Sequence, residues 1–404
     1  MRDISADLRP AAVATPYSGI VEVMNHGFGK PGLVALWAGE GDLATPAFIC
    51  EAATRSLAAG ETFYTRQTGI PELREALARY HDRHWPGPGG RAFDPARFVV
   101  AGSGMQAIQI AIAAVAGAGD EIIVPTPAWP NVAGAMSVAG GRAVEVPMTA
   151  DAAGWTLDLD RLAAAIGPAT RAIFVNSPSN PTGWTASRET LAAILELSRR
   201  HGLWIIADEV YARFVYDGAE RAPSFYDVAD DDDRILYVNT LSKNWAMTGW
   251  RVGWISAPPA IGELLANLVQ YSTSGVAVFM QRAAIAALDR GEDFVAHQVA
   301  RAARGRALIH GVLTSTGRVH EAAPAGAFYY FFSIDGEPDT RRLGLQLVDE
   351  ANVGLAPGTA FGAAGAGYMR LCFARGEDSL GLAARRLEAW LLGRGPDDGA
   401  GAGR

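Results

Sequence analysis

The sequence predicts an α/β fold: a large domain with a mostly parallel, mixed sheet flanked by helices, joined to a smaller α+β domain. Three observations predict it. Short apolar runs rich in β-branched residues alternate with Ala- and Leu-rich stretches whose apolar residues recur at helical spacing. The runs are apolar nearly throughout, not at every second residue, as in strands covered on both faces. After about residue 280 the alternation stops, and a long helical stretch leads into two strand-like runs. The 404 residues suit two such units, at ~100–200 residues per domain.

Taken in order, the strand-like runs are RFVVAG (97–102), DEIIVPTP (120–127), RAVEVPM (142–148), RAIFVNSP (171–178), LWIIADEV (203–210), RILYVNT (234–240) and RVGWISAP (251–258). Stretches such as MQAIQIAIAAVAG and RETLAAILELSRRHG supply helices between them. Ligands of such sheets bind beyond the carboxyl ends of the strands. Five polar motifs fall there: SGM after VVAG, AWPN after IIVPTP, NPTG after IFVNSP, DEVY after WIIA, and SK after ILYVNT. Five loops at one sheet edge describe one site. AGAFYYFFSI and YMRLCFA, with helices around them, form the smaller unit. The expected division is 46–285 for the large domain, 1–45 with 286–393 for the small domain, and a disordered tail at 394–404.

At 49% hydrophobic and 19% charged residues, the chain has ample core material. Its formal charge of −8 argues against nucleic acid as a partner, because phosphate binding needs a basic face. Cys50 and Cys372 are the only cysteines. They make no metal cluster or disulfide framework and read as buried small hydrophobes. The seven His show no ligand spacing, so no metal is expected. There is no secretory apolar stretch at the N-terminus and no uninterrupted apolar run of ~18 residues. A cytoplasmic protein with no membrane partner is expected.

The stretch NTLSKNWAMTGWRVGW (239–254) carries the chemistry. Thr240, Ser242 and Lys243 put two hydroxyls and an amine on one turn, and Arg251 follows. A fixed cationic fork near an amine is a phosphate-site arrangement. An amine beside a bound cation also loses its proton more readily, which suits a Schiff-base lysine. Asp208 closes the apolar run LWIIA, where a surface acid is out of place. Other motifs are weaker alone. GSGMQAI offers backbone N–H groups to an anion but reads equally as a helix start. NPTG reads equally as an Asn-Pro turn, Trp129 as core packing, and Arg370 as a structural ion-pair partner.

Together these motifs resemble the class I/II aminotransferases, fold-type I enzymes that use pyridoxal 5′-phosphate (PLP). LWAGEGDLATPAFICEAATRSLAAGETFYTRQTGIPELREALARYH (36–81) is similar to the family's N-terminal block and GYMRLCFA (367–374) to its C-terminal arginine motif, so the resemblance covers nearly the whole chain. One departure is Thr240, where the family usually has Ser or Gly; Thr keeps the hydroxyl. The resemblance implies the following roles. Lys243 holds PLP and moves the proton between Cα and the cofactor. Asp208 faces the pyridine nitrogen and keeps it protonated. Tyr211 and Asn180 hydrogen-bond the ring oxygen, and Trp129 stacks on the ring. Ser103, Gly104, Met105, Thr240, Ser242 and Arg251 serve the phosphate end. Tyr64 reaches the phosphate of the neighbouring subunit, which makes a homodimer with shared sites. Arg370 binds the substrate α-carboxylate, and Gly39 lets a backbone group approach the substrate.

The expected activity is transfer of an amino group between an α-amino acid and a 2-oxo acid by ping-pong half-reactions. The alternatives on the same fold are a β-lyase, a cyclising synthase or a decarboxylase. These share Lys, Asp and Arg and differ in which Cα bond aligns with the ring's π-system. A non-enzymatic PLP-fold sensor is less expected, since the family sequence begins almost at the N-terminus. The side-chain pocket is expected to draw on Tyr17, Ser18, Gly19, Ile20, Arg66 and Met105. Relatives that act on acidic substrates often carry lysine where Met105 stands, so an aspartate preference is not expected; Arg66 is the one feature that favours it.

Overall fold

Seven of the apolar runs become strands of one sheet: β1 (Phe98–Ala101), β2 (Glu121–Thr126), β3 (Arg142–Pro147), β4 (Thr170–Asn176), β5 (Trp204–Asp208), β6 (Ile235–Thr240) and β7 (Gly253–Ser256). They belong to a computed structural model that describes residues 7–8, 10–13, 18–85 and 92–393. The order is β1-β7-β6-β5-β4-β2-β3. Neighbours run parallel except β7, which is antiparallel to both β1 and β6. The β6–β7 link carries no α-helix, and a parallel return would need a longer crossover. Strand β6 is buried at every residue. The edge strand β3 instead exposes Arg142 and Glu145, charges that discourage further pairing.

The connecting helices form where the sequence supplies both face and ends. Arg188–His201 buries Leu191, Ile194, Leu195 and Leu197. Ser187 Oγ accepts from Thr190 N at 3.1 Å at its start, and Gly202 ends it at φ 64°, the left-handed conformation that glycine takes without strain. From β2 the chain moves outward to β3, and from β4 it moves back across the sheet to β5. The β2/β4 boundary is therefore the switch point at which such sheets bind ligands; Trp129 and Asn180 follow these two strands.

The smaller unit is an antiparallel sheet of β8 (Tyr329–Ser333), β9 (Ala356–Pro357) and β10 (Tyr368–Cys372), in the order β8-β10-β9. Ile309, Leu313, Leu347, Leu380 and Leu387 from three helices are buried against it. Val34–Ala35 pairs parallel with Val353–Gly354, and Cys372 N donates to Leu36 O at 2.9 Å. This pairing carries the LWAGEG segment onto the rim facing the large sheet. Cys372 is buried as expected, whereas Cys50 is only half-buried, in the first turn of the helix Ala47–Ala58. The expected tail at 394–404 and Tyr17 lie outside the described residues. No described helix is long and apolar enough to cross a membrane.

One core histidine sets a pH limit on this fold. His81 is 1% exposed and packs among the rings of Tyr80, Trp85, Phe93, Phe98, Tyr226 and Trp254. Neither ring nitrogen has a partner among the described residues. Burial, reinforced by His84 and Arg97, pushes its pKa down from 6.5 to about 3. The folded state then binds fewer protons than the unfolded state. Stability is full above pH 6.5 and falls as pH drops from there toward 3, by about 1.4 kcal/mol per unit. His81→Phe is expected to flatten this acid limb. Urea unfolding at pH 7.5 and 5 checks it, and equal losses for wild type and variant would refute it.

Candidate active site

The five strand-end loops meet at one cavity of about 320 Å³. Lys243, on the turn after β6, stands half-buried at its floor. Its Nζ donates to Gly39 O at 2.8 Å, so the LWAGEG segment holds the lysine tip. Burial pushes this amine down to about 8, assisted by Arg370 and opposed by Cys372, Glu40 and Asp208.

Around the lysine the chain builds an anion cradle. Thr240 Oγ1 and Ser242 Oγ lie 2.9 Å apart, and Thr240 Oγ1 donates to Val252 O at 3.0 Å. The helix Gly104–Val115 begins beside them, and a Cβ on Gly104 would stand 3.5 Å from Thr240 Cβ. Behind it, a Cβ on Gly253 would come within 2.8 Å of Gly104 N and 2.7 Å of Asn239 O. Only glycine lets β7 pass so close to that helix end. Gly104, Met105, Thr240, Ser242 and the exposed Arg251 line the cavity. Ser103 does not; its buried hydroxyl caps the helix from behind, accepting from Gln106 N at 3.1 Å.

Asp208 ends β5 at 4% exposure. Its closest described donor is Val210 N at 3.4 Å. Burial pushes its carboxyl up to about 7, against the pull of Val210 N–H and Lys243. Arg370, on β10, is 3% exposed. It donates to Asn180 Oδ1 at 3.0 Å and to Trp37 O. Its guanidinium lies between the rings of Tyr329 and Phe361, 4.6 and 4.8 Å from their centroids. Arg370 Nε has no partner, and no described carboxylate pairs with this arginine. Tyr211 and Tyr329 share a hydroxyl–hydroxyl bond of 2.8 Å. Among the described residues, three cations, Lys243, Arg251 and Arg370, thus line a cavity with one carboxylate, Asp208. Such a site suits a ligand with anionic groups and a protonatable centre at Asp208.

Trp129, Asn180, Gly39 and Ile20 also line this cavity. Gly19 lies behind Ser18 and Ile20, against Pro357. Tyr64 and Arg66 are elsewhere. Tyr64 is 94% exposed, Arg66 is exposed, and both line a surface hollow with Phe63 and Arg282. Within one chain, the expected place of Arg66 in the substrate pocket is not formed. Trp37, Tyr329, Ile108, Asn131 and Asn176 line the cavity unforeseen. Trp37 and Tyr329 sit in apolar segments, where an aromatic residue reads as core.

Comparison with known proteins fits this architecture. Residues 32–387 match the family of class I and II aminotransferases. The chain is 37% identical to the aspartate/prephenate aminotransferase of Thermus thermophilus, over 96% of this chain and 97% of the relative. It is 35% identical to aromatic-amino-acid aminotransferase 2 of Thermococcus litoralis, over 90% and 92%. Among solved structures, an aspartate aminotransferase of Thermotoga maritima superposes with a TM-score of 0.88 at 32% identity, over 95% of this chain and all of that one. With matches spanning almost the full length on both sides, the chain belongs to the class I and II aminotransferases and is a PLP-dependent aminotransferase.

Proposed function

We propose that the cavity residues perform the transamination in the roles their positions suit, on amino donors with uncharged side chains, in a homodimer that shares its active sites. The observation that carries this reading is Arg370. A buried guanidinium without a carboxylate is costly, and its unpartnered Nε leaves a place for the α-carboxylate of a substrate.

The residues fit the family's cofactor. A protonated pyridine nitrogen at Asp208 would supply the cation that this buried carboxyl lacks and lower its pKa from about 7. The phosphate would meet the first turn of Gly104–Val115 with Thr240, Ser242 and Arg251. When bound, PLP supplies an electron sink for the bonds at Cα. Lys243 is the attachment point; once free, its Nζ takes and returns the Cα proton. A pKa of about 8 leaves a useful fraction unprotonated near neutrality. Arg370 and Asn180 would fix the carboxylate, Trp129 would pack against the cofactor's ring, and Tyr211 would offer its hydroxyl to the ring oxygen. We keep the proposed division into 46–285 against 1–45 with 286–393, and a cytoplasmic location suited to amino acid and 2-oxo acid substrates.

The substrate's side chain would lie against Ser18, Ile20, Met105 and Asn131. Beyond the three cations already assigned, no basic side chain lines the cavity among the described residues. A distal carboxylate would therefore be desolvated without a partner. Support for the dimer comes from Phe63, Tyr64 and Tyr271, which are 82%, 94% and 90% exposed. Phe63 and Tyr64 also line one surface hollow with Thr273 and Val276, and exposed rings of this kind suit burial by a second chain.

Three outcomes are expected. Asp208→Ala should bind PLP more weakly and lose roughly 10²–10⁴ in half-reaction rate, each ~1.4 kcal/mol being tenfold. Near-wild-type single-turnover rates would end this role for Asp208. Mixing inactive Lys243→Ala subunits with Tyr64→Ala subunits should restore activity, because one site of each hybrid then has both groups native. Verified heterodimers without recovery would show that sites are not shared. Finally, kcat/KM for aromatic or aliphatic donors should exceed that for aspartate and glutamate by about tenfold or more. A hundredfold aspartate preference that vanishes in Arg66→Ala would show instead that Arg66 sets specificity.

A further inference from the structure

Tyr329 touches both ends of the site. Its ring lies against the guanidinium of Arg370, 4.6 Å from centroid to Cζ. Its hydroxyl meets the Tyr211 hydroxyl at 2.8 Å. A Cβ on Gly39 would come within 2.6 Å of the same oxygen, so the backbone that accepts Lys243 Nζ closes over it. The register of the small sheet explains the placement. Tyr329 stands opposite Cys372 and Phe331 opposite Arg370, which makes Tyr329 and Arg370 diagonal neighbours on one face.

Two phenols that share one bond have two protons, and the bond uses one. If Tyr211 donates, it offers only lone pairs to the cavity. If Tyr329 donates, the Tyr211 proton is left to point into the cavity. The guanidinium packed on the Tyr329 ring favours negative charge on that oxygen, whereas at Tyr211 its weaker pull is opposed by Asp208. The more acidic phenol is the better donor. Donation in series also polarises the second bond, by ~10–30%.

We propose that Tyr329 is a positioning residue for the transamination: its hydroxyl donates to Tyr211 and so aims the one proton of Tyr211 at the cofactor's ring oxygen, while its ring fixes the plane of Arg370 for the substrate carboxylate. The inference rests on the roles given to Tyr211 and Arg370 above. An O–H aimed at the ring oxygen favours the state in which that oxygen is more negative, the deprotonated one. Losing it raises the pH at which the bound cofactor's visible absorbance titrates.

Holoenzyme variants test the two halves separately. The first readout is the absorbance titration; the second is the dissociation constant of 3-phenylpropionate, a non-reacting carboxylate. Tyr211→Phe should move the titration upward. Tyr329→Phe should move it in the same direction by a smaller amount, roughly two- to fivefold in the protonation constant. In the Tyr211→Phe background, Tyr329→Phe should add nothing. Tyr329→Phe keeps the ring and should leave the 3-phenylpropionate constant unchanged, whereas Tyr329→Leu should raise it about fivefold. A Tyr329→Phe enzyme that titrates like wild type overturns the inference. So does a shift that persists without the Tyr211 hydroxyl, or unchanged 3-phenylpropionate binding in Tyr329→Leu. An unshifted Tyr211→Phe overturns the underlying role of Tyr211 first, which separates the two failures.

Discussion

The site depends on keeping one guanidinium buried and unpaired. Arg370 gives up water for Asn180 Oδ1, Trp37 O and two aromatic faces. None of these neighbours carries a negative charge. Each comes from a different part of the chain: the segment after Ala35, the loop after β4, strand β8 and the turn at Phe361. Holding them together requires the pairing of Val34–Ala35 with Val353–Gly354 and the register of β8 on β10. Removing a pairing group would leave the charge worse solvated, so the arrangement is fixed more tightly than its few hydrogen bonds suggest.

Burial acts on the other two charged groups in opposite senses and for one reason. It lowers Lys243 to about 8 and raises Asp208 to about 7. Both shifts disfavour the charged form. A ligand that brings a cation to Asp208, takes up the amine of Lys243 and satisfies Arg370 relieves all three costs together. Binding that relieves strain in the folded state alone also stabilises that state. If these residues hold the cofactor as proposed, its affinity and the stability of the fold would be linked through them.

Much of this was legible in the sequence, and the omissions have physical causes. Most of the seven strands were readable because a strand covered on both faces is apolar throughout; the edge strand β3 was readable from its β-branched residues despite Arg142 and Glu145. That β7 lies between β1 and β6 was not, because an apolar run carries no information about its neighbours. Lys243 and Asp208 stood out from the residues around them, whereas Asn180 and Arg370 were legible only through the family resemblance of their motifs. Trp37 and Tyr329 did not stand out, since a residue that serves a site through a ring face leaves the same trace as one that fills a core. The hydroxyl of Ser103 was legible as part of a helix start, and capping is what it does in this chain. Tyr64, expected from the resemblance to serve a neighbouring subunit, is exposed in this chain.

Specificity and chemistry come from different kinds of position. Asp208 ends β5, Lys243 sits on the turn after β6 and Arg370 lies in the middle of β10, where close packing restricts change. The wall proposed for the substrate's side chain comes from the starts of three helices: Ser18 and Ile20 at Gly19–Gly27, Met105 at Gly104–Val115, and Asn131 at Asn131–Val138. First-turn residues have backbone N–H groups without intrahelical partners, which leaves those groups free to meet a ligand. These turns also carry partial positive charge, which favours an anion by ~0.3–1 kcal/mol each when it lies at the helix end. Desolvating a carboxylate costs several kcal/mol. Without a paired cation the second quantity is larger, so on the proposed reading a wall of Ser, Ile, Met and Asn would select against a charged side chain.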